Sequence, residues 1–377
     1  MTSAKPHVII IGAGVTGLTS AYFLADAGYD VTVIAAHVPG DESIEYTSPW
    51  AGAHWRTSAT PAEPTICDWD VQTFEYWVEL LEREGRDAGL PKCGIKMQDS
   101  YHFWDTELQE DLWWAPHVKD FRQLSPLRDP VATINDSSSN KDDAPQIKWA
   151  AACRAPSINV PQYLLYLQSQ ARCLGVQVIK ARLPTDAGFE NALLSAESTA
   201  KAHGRKKADI FLNATGLGAA KLCGDEGMYP IRGQTVLVKG EAKATRTRNG
   251  DGYVAYCIPR PGSGMTILGG TKEVGNWSEA ADPETTRLIL ERNRVLAPEL
   301  LTGEEGGFEV VSVQCGLRPG RKGGTRMERE IVGRRRVVHA YGHASGGYQN
   351  SVGSARLVLR LVERSLDGDG VRATARL

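Results

Sequence analysis

The sequence predicts an α/β chain of two interleaved domains: a parallel, Rossmann-like sheet in three segments, and a mostly antiparallel α+β domain inserted between them. Three observations carry that expectation. A strand, glycine turn, helix and strand open the chain as "HVIIIGAGVTGLTSAYFLADAGYDVTVIAA", residues 7–36. A buried strand breaking into small residues, "ADIFLNATGLGAA" at 208–220, reads as a strand returning to the same sheet. Runs rich in β-branched and aromatic residues at 235–239, 252–258, 265–268 and 308–315 read as antiparallel strands. The expected division is 1–57, 152–224 and 316–377 for the nucleotide domain, and 58–151 with 225–315 for the other.

Composition narrows the function classes. The chain has 377 residues, more than one compact core usually holds, so two domains are expected and a deep site can be buried. A net charge of −2 with 23% charged residues argues against nucleic acid as a partner. No apolar run approaches a membrane span, and Lys5 and Pro6 lead into a strand where a secretory segment would be apolar, so a reducing interior is expected. Seven scattered cysteines with no CxxC spacing read as buried thiols, and no metal site is expected.

The opening unit carries Gly12, Gly14 and Gly17 in GxGxxG spacing, directly after a strand and at the start of a helix. Gly12 permits the tight turn, Gly14 lets a diphosphate approach the backbone, and Gly17 lets helix meet strand. Unpaired N–H groups at the helix start attract the anion. The acid that usually ends the second strand is missing: the place reads Ala35-Ala36-His37, and Asp41 and Glu42 lie beyond a Pro-Gly turn. Ribose recognition is therefore assigned to backbone, to His37 or to water. Further along, residues 70–86 show helical periodicity through Phe74, Trp77, Val78 and Leu81, and 136–144 reads as a polar loop. A helix over 159–175 and a strand over 176–179 follow. The glycine-bounded, charged stretch 240–252 reads as a lid or as a hairpin loop.

Candidate chemistry gathers in the last third. "GLRPGRKGG" at 316–324 places Arg318 at a strand's exit, where its fork either grips a planar carboxylate or makes a surface salt bridge. "YVAYCIPRPG" at 253–262 places Tyr253 and Tyr256 at a strand's start, as phenol donors or as core tyrosines. The tripeptide Ala375-Arg376-Leu377 has the small-basic-leucine pattern of a peroxisomal address.

The stretch "VVHAYGHASGGYQNSVGSA", 337–355, resembles the C-terminal signature of the D-amino-acid oxidase and D-aspartate oxidase family almost position by position. "SPWAGAHW", "NATGLGA", "IRGQTVLVKG", "YCIPRPG", "ILGGTKEVGNW" and "GLRPGR" extend the resemblance over nearly the whole chain, in the family's order and with fungal members most similar. It implies FAD along the parallel sheet, with contacts from Gly12, Ala13, Gly14, Val15, Thr16, Ala36, His37, Thr47, Ser48, Gly52, Ala53, Val178 and Gly216. Arg318, Ser345, Gly346, Gly347, Tyr348 and Gln349 complete that set, the small residues of the tail allowing close backbone approach to the flavin.

The resemblance further implies that Arg318 and Tyr256 clamp the substrate carboxylate, that the amino group meets Ser345 or a nearby carbonyl, and that only a D-amino acid then presents its α-hydrogen to the flavin. Hydride transfer, hydrolysis to a 2-oxo acid and ammonia, and reoxidation by oxygen to hydrogen peroxide follow, which gives the peroxisomal tripeptide and its import receptor a rationale. Where fungal relatives carry a second active-site tyrosine this chain has Lys272, and Tyr253 is a candidate substitute. Lys272, His54 and Arg56 bear on acidic substrates but read as surface charges, so neutral D-amino acids over a broad range are expected first, and D-aspartate or D-glutamate second. A glycine- or sarcosine-type amine oxidase and a non-enzymatic flavoprotein are the rival readings, and a homodimer is an assembly compatible with all of them.

Overall fold

The computed structural model describes residues 5–84, 92–107, 112–125 and 147–367. The polar stretch 136–144 and the tripeptide 375–377 lie outside the described residues. The chain begins with β1 (His7–Ile11), α1 (Val15–Asp26), β2 (Asp30–Ala35), α2 (Pro64–Glu84), β3 (Ile95–Trp104) and β4 (Lys119–Leu124). It continues as β5 (Trp149–Ile158), α3 (Val160–Cys173), β6 (Gln177–Lys180), α4 (Phe189–Ala202), β7 (Ile210–Asn213), α5 (Ala219–Leu222) and β8 (Met228–Lys239). The remainder is β9 (Thr245–Gly250), β10 (Tyr253–Arg260), β11 (Met265–Gly269), β12 (Glu273–Val274), α6 (Pro283–Arg294), β13 (Val310–Arg321), β14 (Arg326–Val332), β15 (Arg335–Tyr341) and α7 (Ser351–Leu366).

The first unit comprises 1–49, 164–231 and 317–377. Its sheet runs β14-β15-β7-β1-β2-β6, with β15, β7, β1, β2 and β6 parallel and β14 antiparallel at one edge. Strand β1 is central, and a parallel strand covered on both faces must be apolar throughout. Accordingly Val8, Ile9 and Ile10 are fully buried, as are Ala192, Leu193, Ala196 and Ala200 of α4 on one face of the sheet. At about 25 cal/mol per Å², each buried Val, Ile or Leu among them contributes roughly 1.5–3 kcal/mol.

The second unit comprises 50–163 and 232–316, and its sheet runs β12-β8-β11-β10-β9-β3-β5-β4, with β13 also paired to β8. The pairs β10–β11, β9–β10, β8–β11, β3–β5 and β4–β5 are antiparallel, and β3 runs parallel to β9. One face is closed by α6 and the segment that follows it: Phe103, Ala150, Ala152, Val236, Val238, Ala255, Cys257 and Leu268 pack against Ile289 of the helix and Leu296, Ala297 and Leu300 after it. Asp282 caps that helix by accepting from Thr285 N–H at 2.7 Å.

The division of the chain differs from the expected one. Residues 152–163 belong to the second unit, led by β5, a long strand paired with β3 over ten residues, and 50–57 go with it because His54 bridges to Ser157. Residues 225–231 stay with the first. The stretch 240–252 is neither lid nor loop: it contains β9, a strand with neighbours on both sides, and Ala244, Thr245, Thr247 and Arg248 are buried. No described helix is long and apolar enough to cross a membrane.

Candidate active site

In the first unit the glycine turn forms where β1 meets α1. Gly12 has φ 111°, and a Cβ there would lie 2.5 Å from Ala214 O, while a Cβ on Gly17 would lie 2.1 Å from Gly12 O. Only hydrogen fits at either place, so strand, turn and helix sit as close as a diphosphate cradle requires. No acidic residue occupies the first turn of α1, which leaves its positive end uncompensated.

Hydroxyls surround that end. Ser48 Oγ accepts from Val15 N–H at 3.0 Å, the buried Tyr46 donates to Ala13 O at 2.7 Å, and Tyr348 donates to Ser48 O at 2.9 Å. Burial pushes the Tyr46 phenol up, so it stays a donor at any working pH. Thr47 Oγ1 donates to Leu317 O at 2.6 Å, and Gly216, with φ 56°, lies against Pro319. The structure thus brings together Gly12, Ala13, Gly14, Val15, Thr16, Thr47, Ser48, Gly216, Tyr348 and the backbone around Arg318. The half-buried Arg318 points Nη1 toward Ile231 O at 3.5 Å. Ser345 is exposed, one residue after Ala344, whose φ of 48° places a non-glycine residue in the left-handed region. That conformation costs about 1–2 kcal/mol and is held by the turn in which Gly346 N–H donates to His343 O.

A carboxylate from further along the chain, Glu45, reaches the end of β2 and meets His37 there. His37 Nε2 lies 3.1 Å from Glu45 Oε2, which also accepts from Arg182 at 2.7 Å, and the imidazole stacks on Tyr46. Arg182 and His37 hold the Glu45 carboxyl below its usual range. Ala36 is half-buried beside this cluster. Sequence reasoning missed Glu45, Tyr46 and Arg182; the absent acid after β2 was the signal to search the following loop. Val178 is corrected: it lies mid-strand in β6, paired with Val33, whereas ligands of a parallel sheet bind beyond the carboxyl ends of its strands.

In the second unit the strand period decides between the two tyrosines. Tyr256 pairs with Thr247 on β9 and Gly269 on β11, and its ring lies so close to Gly269 and Gly270 that a Cβ on Gly269 would meet its Cζ at 2.0 Å. Tyr253, three residues earlier, faces the other way. It packs against the α6-covered core with the Arg292 guanidinium 4.3 Å from its ring centroid. Tyr253 is therefore not a second active-site tyrosine. Lys272 is exposed. Gly52 and Ala53 belong to this unit: a Cβ on Gly52 would strike Ile267 at 2.8 Å, and Ala53 O accepts from Ile158 N–H. Their small size is thus explained by the sheet itself.

A family model described as FAD dependent oxidoreductase matches residues 7–361. The chain belongs to this family. The cradle of the first unit fits FAD's diphosphate, and FAD is the cofactor of this family member. It is 35% identical over 362 residues to the D-amino-acid oxidase of Schizosaccharomyces pombe, covering 93% of this chain and 94% of the relative. Identity to the D-amino-acid oxidase of Fusarium vanettenii is 34% over 382 residues, covering 95% and 96%. Among solved structures, glycine oxidase from Geobacillus kaustophilus shares the fold with a TM-score of 0.67 at 20% identity, covering 99% of this oxidoreductase and 97% of that chain.

Proposed function

We propose that the protein is a D-amino-acid oxidase. The observation that carries this reading is similarity along 93–95% of the chain to fungal enzymes of that name, over a family match spanning 7–361. A D-amino acid, water and oxygen become a 2-oxo acid, ammonia and hydrogen peroxide; bound FAD supplies the hydride acceptor and passes the electron pair to oxygen. Arg318 grips the α-carboxylate through its planar fork, Tyr256 donates a second hydrogen bond to it, and Ser345 or a carbonyl of the 343–347 turn receives the amino group. Fixing both polar groups leaves one enantiomer with its α-hydrogen toward the acceptor. A neutral amine expels the hydride with its own lone pair, so these residues orient and desolvate and no dedicated base is required.

A peroxide-release panel tests this on purified yellow protein with D- and L-alanine, D- and L-valine, D-aspartate, D-glutamate, glycine and N-methylglycine. D-enantiomers alone should release peroxide. Glycine or N-methylglycine exceeding D-alanine moves the protein to the amine-oxidase class, and flavin absorbance without peroxide from any amino acid makes it a non-enzymatic flavoprotein. Delivery to peroxisomes through Ala375-Arg376-Leu377 and assembly as a homodimer belong to the same reading. Removing the tripeptide should leave a fluorescent fusion in the cytosol, and sedimentation should give twice the chain mass.

A further inference from the structure

A dinucleotide fold usually closes its second strand with an acid that accepts from the ribose hydroxyls, whereas β2 ends on Ala35 with Ala36 and His37 behind it. The place for that acid exists all the same. Gly12 N–H donates to Ile34 O at 2.9 Å, which sets the diphosphate cradle directly beside the carboxyl end of β2. Two carboxylates from the following loop, Asp41 and Glu45, come to this end. Asp41 has both oxygens engaged: Oδ2 accepts from Val38 N–H at 2.9 Å and Oδ1 from Lys180 Nζ at 2.7 Å. Glu45 Oε2 meets His37 and Arg182, and its Oε1 has no partner among the described residues.

The backbone around Glu45 is tied to the cradle on both sides. Tyr46, the next residue, is buried, donates to Ala13 O at 2.7 Å and stacks its ring on His37 with centroids 6.2 Å apart. Arg182 arrives from the neighbouring strand, since β6 places Lys180 opposite Ala35 and Ala181 N–H donates to Ala35 O at 2.9 Å. Folding stability does not account for the Glu45–Arg182 pair: the side chains are 53% and 64% exposed, and ion pairs so open to water contribute little. Ligand recognition does. A carboxylate beside an anionic diphosphate is repelled by it unless a cation stands next to the carboxylate, and Arg182 fills that role. The result is an ionised acceptor, fixed in place, with one oxygen open to solvent.

We propose that Glu45, a residue outside the strand-end position, accepts from the adenosine ribose hydroxyls of FAD, with Arg182 and His37 as the positioning residues that hold its carboxylate. The assignment rests on FAD as the cofactor and not on the substrate, so it is tested apart from the oxidase reading. Fluorescence titration of the apoprotein compares FAD with an analogue whose adenosine is 2′,3′-dideoxy, in wild type, Glu45→Gln, Arg182→Gln and the double variant Ala36→Asp with Glu45→Gln. Hydrogen bonds to an ionised group are the stronger ones, so in wild type the analogue should bind about tenfold more weakly than FAD. Glu45→Gln should weaken FAD by about the same factor and leave the analogue's Kd unaltered. Arg182→Gln should give part of that loss, again for FAD alone. Ala36→Asp returns an acid to the strand end and should recover most of the affinity that Glu45→Gln loses, for FAD and not for the analogue.

A wild type that binds FAD and the analogue alike overturns the assignment. So does a Glu45→Gln variant that binds FAD as tightly as wild type, or that weakens FAD and analogue equally, as a merely structural role would. If Glu45→Gln fails to fold, equal weakening of both ligands by Arg182→Gln has the same force. A wild-type apoprotein that binds no FAD removes the cofactor itself, and the assignment with it.

Discussion

At the scale of single residues, the two tyrosines of "YVAY" have opposite fates, and this is testable. Tyr256→Phe removes a donor proposed for the substrate carboxylate and should raise KM for D-alanine severalfold. Tyr253→Phe keeps the ring under Arg292 on the core face, so KM should stay within twofold of wild type. Steady-state kinetics on both variants checks the assignment; equal effects would contradict the strand geometry. Arg318→Lys keeps the charge and loses the fork, and Arg318→Ala loses both, so KM should rise about tenfold in the first and by 2–5 kcal/mol or roughly 30-fold to several-thousand-fold in the second. The order of the two variants distinguishes bidentate recognition from simple charge.

At the scale of elements, the β1–α1 junction tolerates no side chain. Gly17→Ala places a methyl carbon 2.1 Å from Gly12 O, so strand and helix must part and the cradle with them. Fluorescence titration of the apoprotein with FAD should show affinity falling at least tenfold, and the variant should purify with little yellow colour. Helix α6 offers a milder case. Asp282→Ala removes its N-cap and should cost about 1 kcal/mol, read as a Tm lower by about 2–3 °C, with KM unchanged. The β1–α1–β2 unit was legible in sequence because its signals are local: apolar runs, glycine spacing, helical period. The strand β9 was not, since "ATRTRNG" is polar and charged; Thr245, Thr247 and Arg248 are buried only because β10 and β3 flank it and Arg248 finds Asp105.

At the scale of the whole molecule, buried histidines and paired carboxylates make acid destabilising. Burial, with Arg56 nearby, holds the folded His102 down to about 3 against 6.5 when unfolded. Between those values the unfolded chain binds a proton that the folded one refuses, so stability is lost as pH falls below about 6.5, by up to about 1.4 kcal/mol per pH unit for this group. Asp225 and Glu299 are held below their usual range with their arginine partners, against burial that would raise them. Their contribution is present at neutral pH and disappears as they protonate in stronger acid. Tm should therefore fall steadily from pH 7 to pH 4, and His102→Gln should flatten the upper part of that fall; a pH-independent Tm would contradict the burial of these groups.

What the sequence by itself determined is the nucleotide cradle, the two-domain α/β plan and the family, because each is written in short-range spacing or in ordered motifs along the chain. Tertiary structure alone decided that Tyr253 and Tyr256 face opposite sides of their sheet, that 240–252 contains the strand β9, where the interleaved segments are cut, that Val178 is mid-strand, and that Glu45 comes to the end of β2. The reason is common to all five. Strand parity, cross-strand partners and the burial of a charge depend on neighbours distant in the chain, and no local pattern specifies which neighbour arrives.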